Sequence, residues 1–213
     1  MKKSFKCKKV FLSFIFFLIL PFCAANAQGI DPEILSGAEE GDATAQYNAG
    51  LYYNRHKNYT FALQWFQKSS EQGYAPAQNA LGSLYYHGRG TPRDYKKAFE
   101  LYMKAAEQGE AEAEFNIAVM YDKGYGVPQD NAKAFEFFQK AAQKGIAEAQ
   151  FNLATMYDTG AGAPKDLKIA FEWYKKAADQ GYMTAQYNLG IMYSRGEGVS
   201  KDVHEAAGWF KKA

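Results

Sequence analysis

Residues 109–144 read GEAEAEFNIAVMYDKGYGVPQDNAKAFEFFQKAAQK, and residues 145–180 read GIAEAQFNLATMYDTGAGAPKDLKIAFEWYKKAADQ. The two stretches align without a gap over 36 residues. Another copy starts at Gly73 and a further one at Gly181, which runs to Ala213. Self-similarity at such a period marks stacked supersecondary units, so the repeat decides the fold. In an array of this kind the length counts repeats rather than domains. The units are 41–72, shortened to 32 residues, then 73–108, 109–144, 145–180 and 181–213.

Within a unit, small and apolar residues recur at helical spacing in two stretches. In the second unit these are Ala77, Leu81, Leu84 and Tyr85, then Ala98, Leu101, Tyr102, Ala105 and Ala106. Spacings of three, four and seven put each set on one face, which predicts two amphipathic helices per unit. A Gly-x-Gly turn separates them, at Gly88-Arg89-Gly90, Gly124-Tyr125-Gly126, Gly160-Ala161-Gly162 and Gly196-Glu197-Gly198. The first glycine suits a left-handed helix end and the second a backbone position hostile to a Cβ. Pro92, Pro128 and Pro164 then block continuation of the helix. Asp94, Asp130, Asp166 and Asp202 follow where an N-cap would satisfy the free amides of the second helix. The fold class expected is all-α, a solenoid of stacked antiparallel helix pairs.

The ends differ from the interior. Unit 41–72 lacks the glycine turn and connects its helices through Asn54-Arg55-His56-Lys57-Asn58. Before it, Asp31-Pro32-Glu33 is expected to start a short helix reaching Glu40, so that 28–40 forms a capping segment. The last unit, 181–213, is incomplete and carries no polar capping helix, which leaves its flank open to fraying or self-association.

Residues 1–27 stand apart. Lys2, Lys3, Lys6, Lys8 and Lys9 precede the apolar run Val10 to Leu20, and the small residues Cys23-Ala24-Ala25-Asn26-Ala27 follow. That is the pattern of a secretory signal peptide cut after Ala27. That run of 11 residues, apolar but for Ser13, is short of the roughly 20 that a spanning helix needs, so no membrane insertion is expected once the signal is cleaved. Phe22 ahead of Cys23 is too bulky for lipoprotein processing. Removing the five lysines converts the net charge from +2 to −3, and a mildly acidic chain without Lys/Arg clusters points away from nucleic acid as a partner. Cys7 and Cys23 both lie in this segment, so stability is expected to come from packing without disulfides.

The run Ala185-Gln186-Tyr187-Asn188-Leu189-Gly190-Ile191-Met192-Tyr193 with Gly196, Gly198 and Val199, together with KAFEFFQKAA and IAFEWYKKAA in the second helices, resembles the Sel1-like repeat from about Gly41 to Ala213. The resemblance implies a tetratricopeptide-like, right-handed α-solenoid that holds other proteins. Exported bacterial members are associated with envelope signalling, complex assembly and contact with host cells. A periplasmic or secreted location follows as the expectation, with delivery to a host cell as a further possibility.

If the related architecture carries over, the first helices line the concave surface. Asparagine stands at one register position in four of the five units, at Asn48, Asn116, Asn152 and Asn188, with Ala80 the exception. One residue earlier run Tyr47, Asn79, Phe115, Phe151 and Tyr187. A carboxamide offers both donor and acceptor to the backbone of an extended peptide, and aromatic faces beside it supply apolar area. Asn48, Asn116, Asn152, Asn188, Tyr47, Phe115, Phe151 and Tyr187 are therefore the candidate peptide-binding residues. The same residues also suit local bonding between helices and inter-repeat packing, and the sequence leaves both roles open. One turn before the asparagines stand Thr44, Pro76, Glu112, Glu148 and Thr184, a set that argues against a carboxylate clamp and favours a partner with basic side chains.

No set of residues converges on catalysis. His56, His87 and His204 fall in separate units without supporting cysteines, which excludes a recognisable zinc set, and no cofactor is implied. The Gly-x-Gly turns follow helices rather than strands and lack the third glycine of a dinucleotide fingerprint. Certain cysteine-rich Sel1-like proteins are linked to β-lactams, but this chain lacks Ser-x-x-Lys and Lys-Thr-Gly. The expectation is a non-enzymatic protein-interaction scaffold, with a cell-wall or β-lactam binder of at most weak hydrolase activity as the alternative.

Overall fold

The computed structural model describes residues 29–213; the signal-peptide assignment for 1–27 lies outside them. Among the described residues every regular element is a helix. A short helix α1 (Pro32–Glu40) precedes five pairs: α2 (Ala43–Arg55) with α3 (Tyr59–Glu71), α4 (Ala75–His87) with α5 (Tyr95–Glu107), α6 (Ala111–Lys123) with α7 (Asn131–Gln143), α8 (Ala147–Thr159) with α9 (Leu167–Asp179), and α10 (Met183–Arg195) with α11 (Val203–Lys212). Helices adjacent in sequence pack on one another from α1 through α11. The result is an all-α solenoid built from near-neighbour contacts, in which each pair covers the apolar flank of the one before.

The caps explain why the helices start and stop where they do. Asp31 accepts from the Glu33 amide at 2.9 Å at the head of α1. Asp94 accepts from the Lys97 amide at 2.9 Å, and Asp130, Asp166 and Asp202 each accept from two amides of the following helix. Gly88, Gly124, Gly160 and Gly196 close the first helices in the left-handed conformation. In the shortened unit Lys57 takes that role with φ 59°, at the cost of a strained non-glycine.

Packing rests on small residues at the crossings. Ala77, Ala98, Ala105, Ala113, Ala134, Ala149, Ala170 and Ala185 are wholly buried, so helix backbones approach closely. Into each pair projects one ring from the second helix: Phe66, Tyr102, Phe138, Tyr174 or Phe210. A Cβ on Gly82 would stand 2.8 Å from the Tyr102 ring, which is why glycine occupies that place. The two tyrosines of this series face hydroxyls. Thr155 Oγ1 lies 3.1 Å from the Tyr174 hydroxyl, and Ser83 bonds Tyr102. Opposite Phe66, Phe138 and Phe210 the corresponding residues are Leu51, Val119 and Ile191. A buried phenol therefore occurs where a partner hydroxyl is supplied.

A second recurring contact is polar. Gln46, Gln78, Glu114, Gln150 and Gln186 are buried at one register position of the first helices. Gln46, Gln150 and Gln186 donate to the carbonyls of Ala38, Ala142 and Ala178 in the preceding helix. The residue closing the second helix of the same unit then donates to that side chain: Gln72 to Gln46, Gln108 to Gln78 and Gln180 to Gln150, each at 2.8 Å. In unit 109–144 both members change together, and Lys144 Nζ meets Glu114 Oε1 at 2.8 Å.

Candidate binding site on the first helices

The asparagine position falls at the same register of every first helix, but its side chains are not equivalent. Asn116 donates to Asn79 Oδ1 of the preceding unit at 3.0 Å. Asn152 donates to the Glu148 carbonyl of its own helix at 2.8 Å. Asn188 bonds the hydroxyl of Tyr174, whose pKa is raised above the ordinary value, by burial first and then by the nearby carboxylate of Asp158. All four asparagines are half-buried, Asn48 included. Each carboxamide has more hydrogen-bonding capacity than one bond consumes.

The neighbouring aromatics pack on the second-helix ring of their own unit, and two of them also reach the next unit. Tyr47 lies 5.8 Å from Phe66 and 5.4 Å from Tyr74 of the next unit, measured between ring centroids. Phe115 packs on Phe138, and Phe151 on Tyr174 and on Tyr182 of the next unit. Tyr187 rests on Phe210 yet is 53% exposed. With Met183 and Phe210 it lines a 650 Å³ depression on the outer face of the last described pair.

Beside Asn188 opens a cavity of 330 Å³ between the fourth and fifth units. Tyr174, Leu167 and Lys165 contribute from one side, and Asn188, Ile191, Met192 and Arg195 from α10. Asp158 and Glu197 complete the wall. Asn188, Ile191 and Arg195 follow at i, i+3 and i+7, so one stripe of α10 faces the cavity. Arg195 Nη1 stands 3.8 Å from Glu197 Oε2, and both side chains are solvated.

At the junction of the second and third units the corresponding surface is aromatic. Tyr95 and Tyr125 stack at 4.9 Å with planes 7° apart, and Tyr86 meets both edge-on. Arg93 lies over Tyr95 and Arg89 over Tyr59. Burial first, then the Arg89 and Arg93 guanidiniums, lower the pKa of His87, so its neutral form is favoured. On the first turns of α6 and α8 an acidic group forms: partial burial first, then Glu148 and Glu110, raise the pKa of Glu112.

The asparagine row was legible in the sequence because it repeats. Tyr174, Asp158, Lys165, Arg195 and Glu197 were not singled out, because they come from three helices and two loops and are joined only by the stacking of two units. The unit period was the available signal, since each of these positions varies in charge or size between copies.

Segments 43–74, 75–110, 111–146, 147–182 and 184–213 each match the Sel1 repeat. The chain belongs to the Sel1 repeat family. Sel1 repeat proteins serve as protein-interaction scaffolds, and the fold is typically non-catalytic. A protective antigen of uropathogenic Escherichia coli is 40% identical with a TM-score of 0.80, over 84% of this chain and 39% of that one. A Sel1 repeat protein from Oxalobacter formigenes is 36% identical with a TM-score of 0.76, over 84% and 73%. Among curated proteins, a DAP3-binding cell death enhancer of Rattus norvegicus is 50% identical over 40 residues, 19% of this chain and 8% of its own length. The chain thus spans a small part of that relative, and the likeness concerns Sel1 repeats rather than the whole protein. Among the described residues no helix is long and apolar enough to cross a membrane.

Proposed function

We propose that this Sel1 repeat protein is a non-enzymatic adaptor, exported to the bacterial envelope or beyond it, whose first helices line a concave groove that binds an extended segment of another protein. The observation that carries the reading is the asparagine column. Asn48, Asn116, Asn152 and Asn188 recur at one register position of one helix per unit, so their carboxamides are set at the spacing of the stacked pairs. An extended backbone crossing those helices would meet a donor and an acceptor at every unit but the second, where Ala80 stands, independent of its sequence. Tyr47, Phe115, Phe151 and Tyr187 would form the shoulders of the groove, with Tyr47 and Phe151 also packing on the next unit. Because the repeats fix the groove before the partner arrives, the receptor spends little ordering entropy on binding.

The test is crosslinking in the producing cells, comparing the wild type with a variant carrying Ala at Asn48, Asn116, Asn152 and Asn188 and matched for melting temperature. A partner lost in the variant supports the groove; the same partners at the same yield in both proteins would sink it. Fractionation of the same cells tests export, and protein confined to the cytoplasm with residues 1–27 intact would reject that part of the reading.

A further inference from the structure

The nine residues that line the cavity between the fourth and fifth units each have a counterpart 72 residues earlier, at the junction of the second and third. Tyr174, Asn188, Ile191 and Met192 correspond to Tyr102, Asn116, Val119 and Met120, so the inner wall is kept nearly unchanged. The outer wall is different. Asp158, Leu167 and Glu197 correspond to Tyr86, Tyr95 and Tyr125, the three rings that pack against one another. At one junction the rings fill this space; at the other, two carboxylates and a leucine leave 330 Å³ open.

The placement of charge within the opening is uneven. Asp158 is half-buried and its carboxylate acts on the phenol of Tyr174 at the cavity wall. Lys165 is exposed, and the Arg195 side chain is 64% exposed. The cations therefore lie toward water, where screening weakens them, while a carboxylate and the oxygens of Tyr174 and Asn188 face the interior. Leu167, Ile191 and Met192 supply apolar wall between these groups. An alkyl stem ending in a cation matches that order of surfaces. Lysine fits better than arginine, because the acceptors come from α8, α10 and the loop after α10, and a rotatable ammonium can reach separate acceptors where a planar guanidinium needs them paired.

We propose that this cavity is a specificity pocket for a lysine side chain of the peptide held in the groove, the ammonium donating to Asp158 and Glu197 and to the side-chain oxygen of Asn188. The inference rests on the groove reading above and deepens it. Glu112 and Glu148, which repel one another on the first turns of α6 and α8, extend the preference for basic residues along the same face.

The experiment uses the protein produced from its full sequence, labelled at methionine and isoleucine methyls and asparagine amides for NMR. Three probes are titrated: acetyl-Ala-Ala-Lys-Ala-Ala-amide and its norleucine and glutamate analogues. The expected result is saturable shifts of the Ile191 and Met192 methyls and the Asn188 carboxamide with the lysine peptide, and affinity lower by about tenfold or more for norleucine, which loses the charge-assisted hydrogen bonds. Asp158→Tyr, Leu167→Tyr and Glu197→Tyr together should abolish those shifts, since the same trio already packs at the earlier junction. Asp158→Asn, a smaller change, should weaken lysine-peptide binding about tenfold at an unchanged melting temperature. Equal affinity for the lysine and norleucine peptides, or undiminished binding by the folded triple variant or by Asp158→Asn, overturns the pocket. Shifts at Asn116 and Asn152 without any at the cavity would overturn the pocket and leave the groove standing; no shift with any peptide would overturn both.

Discussion

At the scale of single residues, the informative comparisons lie within the chain, because five copies of one environment differ in a few side chains. Glu114 and Lys144 stand where units 41–72, 73–108 and 145–180 carry two glutamines. The Glu114 side chain is 7% exposed, and its Oε2 has no hydrogen-bond partner among the described residues. A buried carboxylate in that position depends on the ammonium beside it. Lys144→Ala is expected to cost about 1–3 kcal/mol, as for a buried polar group left unpaired. The double change Glu114→Gln with Lys144→Gln rebuilds the pair seen in units 73–108 and 145–180 and should recover most of that loss. Thermal unfolding of the single and double variants checks this, and a double variant as unstable as Lys144→Ala would contradict it. The pairing was not legible in the sequence: its members lie 30 residues apart, and two glutamines or a Glu and a Lys read as ordinary surface residues.

At the scale of elements, the turns between paired helices were read correctly from their glycines, but the reason for the second glycine is tertiary. Gly126 has φ 73°, and a Cβ there would stand 2.7 Å from the Tyr95 carbonyl carbon at the head of the second helix of the previous unit. The loop of one unit is thus seated on the helix start of another. Gly73 also has positive φ, 83°, but a Cβ there would meet nothing within 4 Å. Gly73→Ala should cost about 1 kcal/mol from backbone conformation alone. Gly126→Ala should cost at least about 1 kcal/mol more, because the contact is with backbone that cannot swing aside. Chemical denaturation of both variants measures the difference, and equal losses would show that the loop can lift off its neighbour without penalty. Periodicity located the helices for the same physical reason it located the turns: each helix has one buried stripe, and the stripe must repeat with the helical period to stay buried.

For the whole molecule, stability is expected to be close to a sum over units and their interfaces, since packing runs between helices that are neighbours in sequence. Deleting residues 109–144 joins Gln108 to Gly145 and places Gln150 opposite Ala106, the counterpart of Ala142. The shortened array should remain helical and unfold cooperatively, with a denaturant dependence lower by about one fifth as less surface is exposed. Circular dichroism during urea unfolding tests this; loss of helicity would mean that the central unit holds the two halves together by contacts beyond its neighbours.

The repeated unit is enough to specify the all-α repeat architecture, the helix pairs, their caps and the register of the asparagine column, because each of these is set within one unit and then copied. Tertiary structure decided what each copy does. Whether an asparagine bridges to Asn79, to its own helix or to Tyr174, and whether a junction is filled by three tyrosines or opens into a cavity, depends on side chains from two units meeting across an interface, where the identity of one residue has meaning only beside its neighbour.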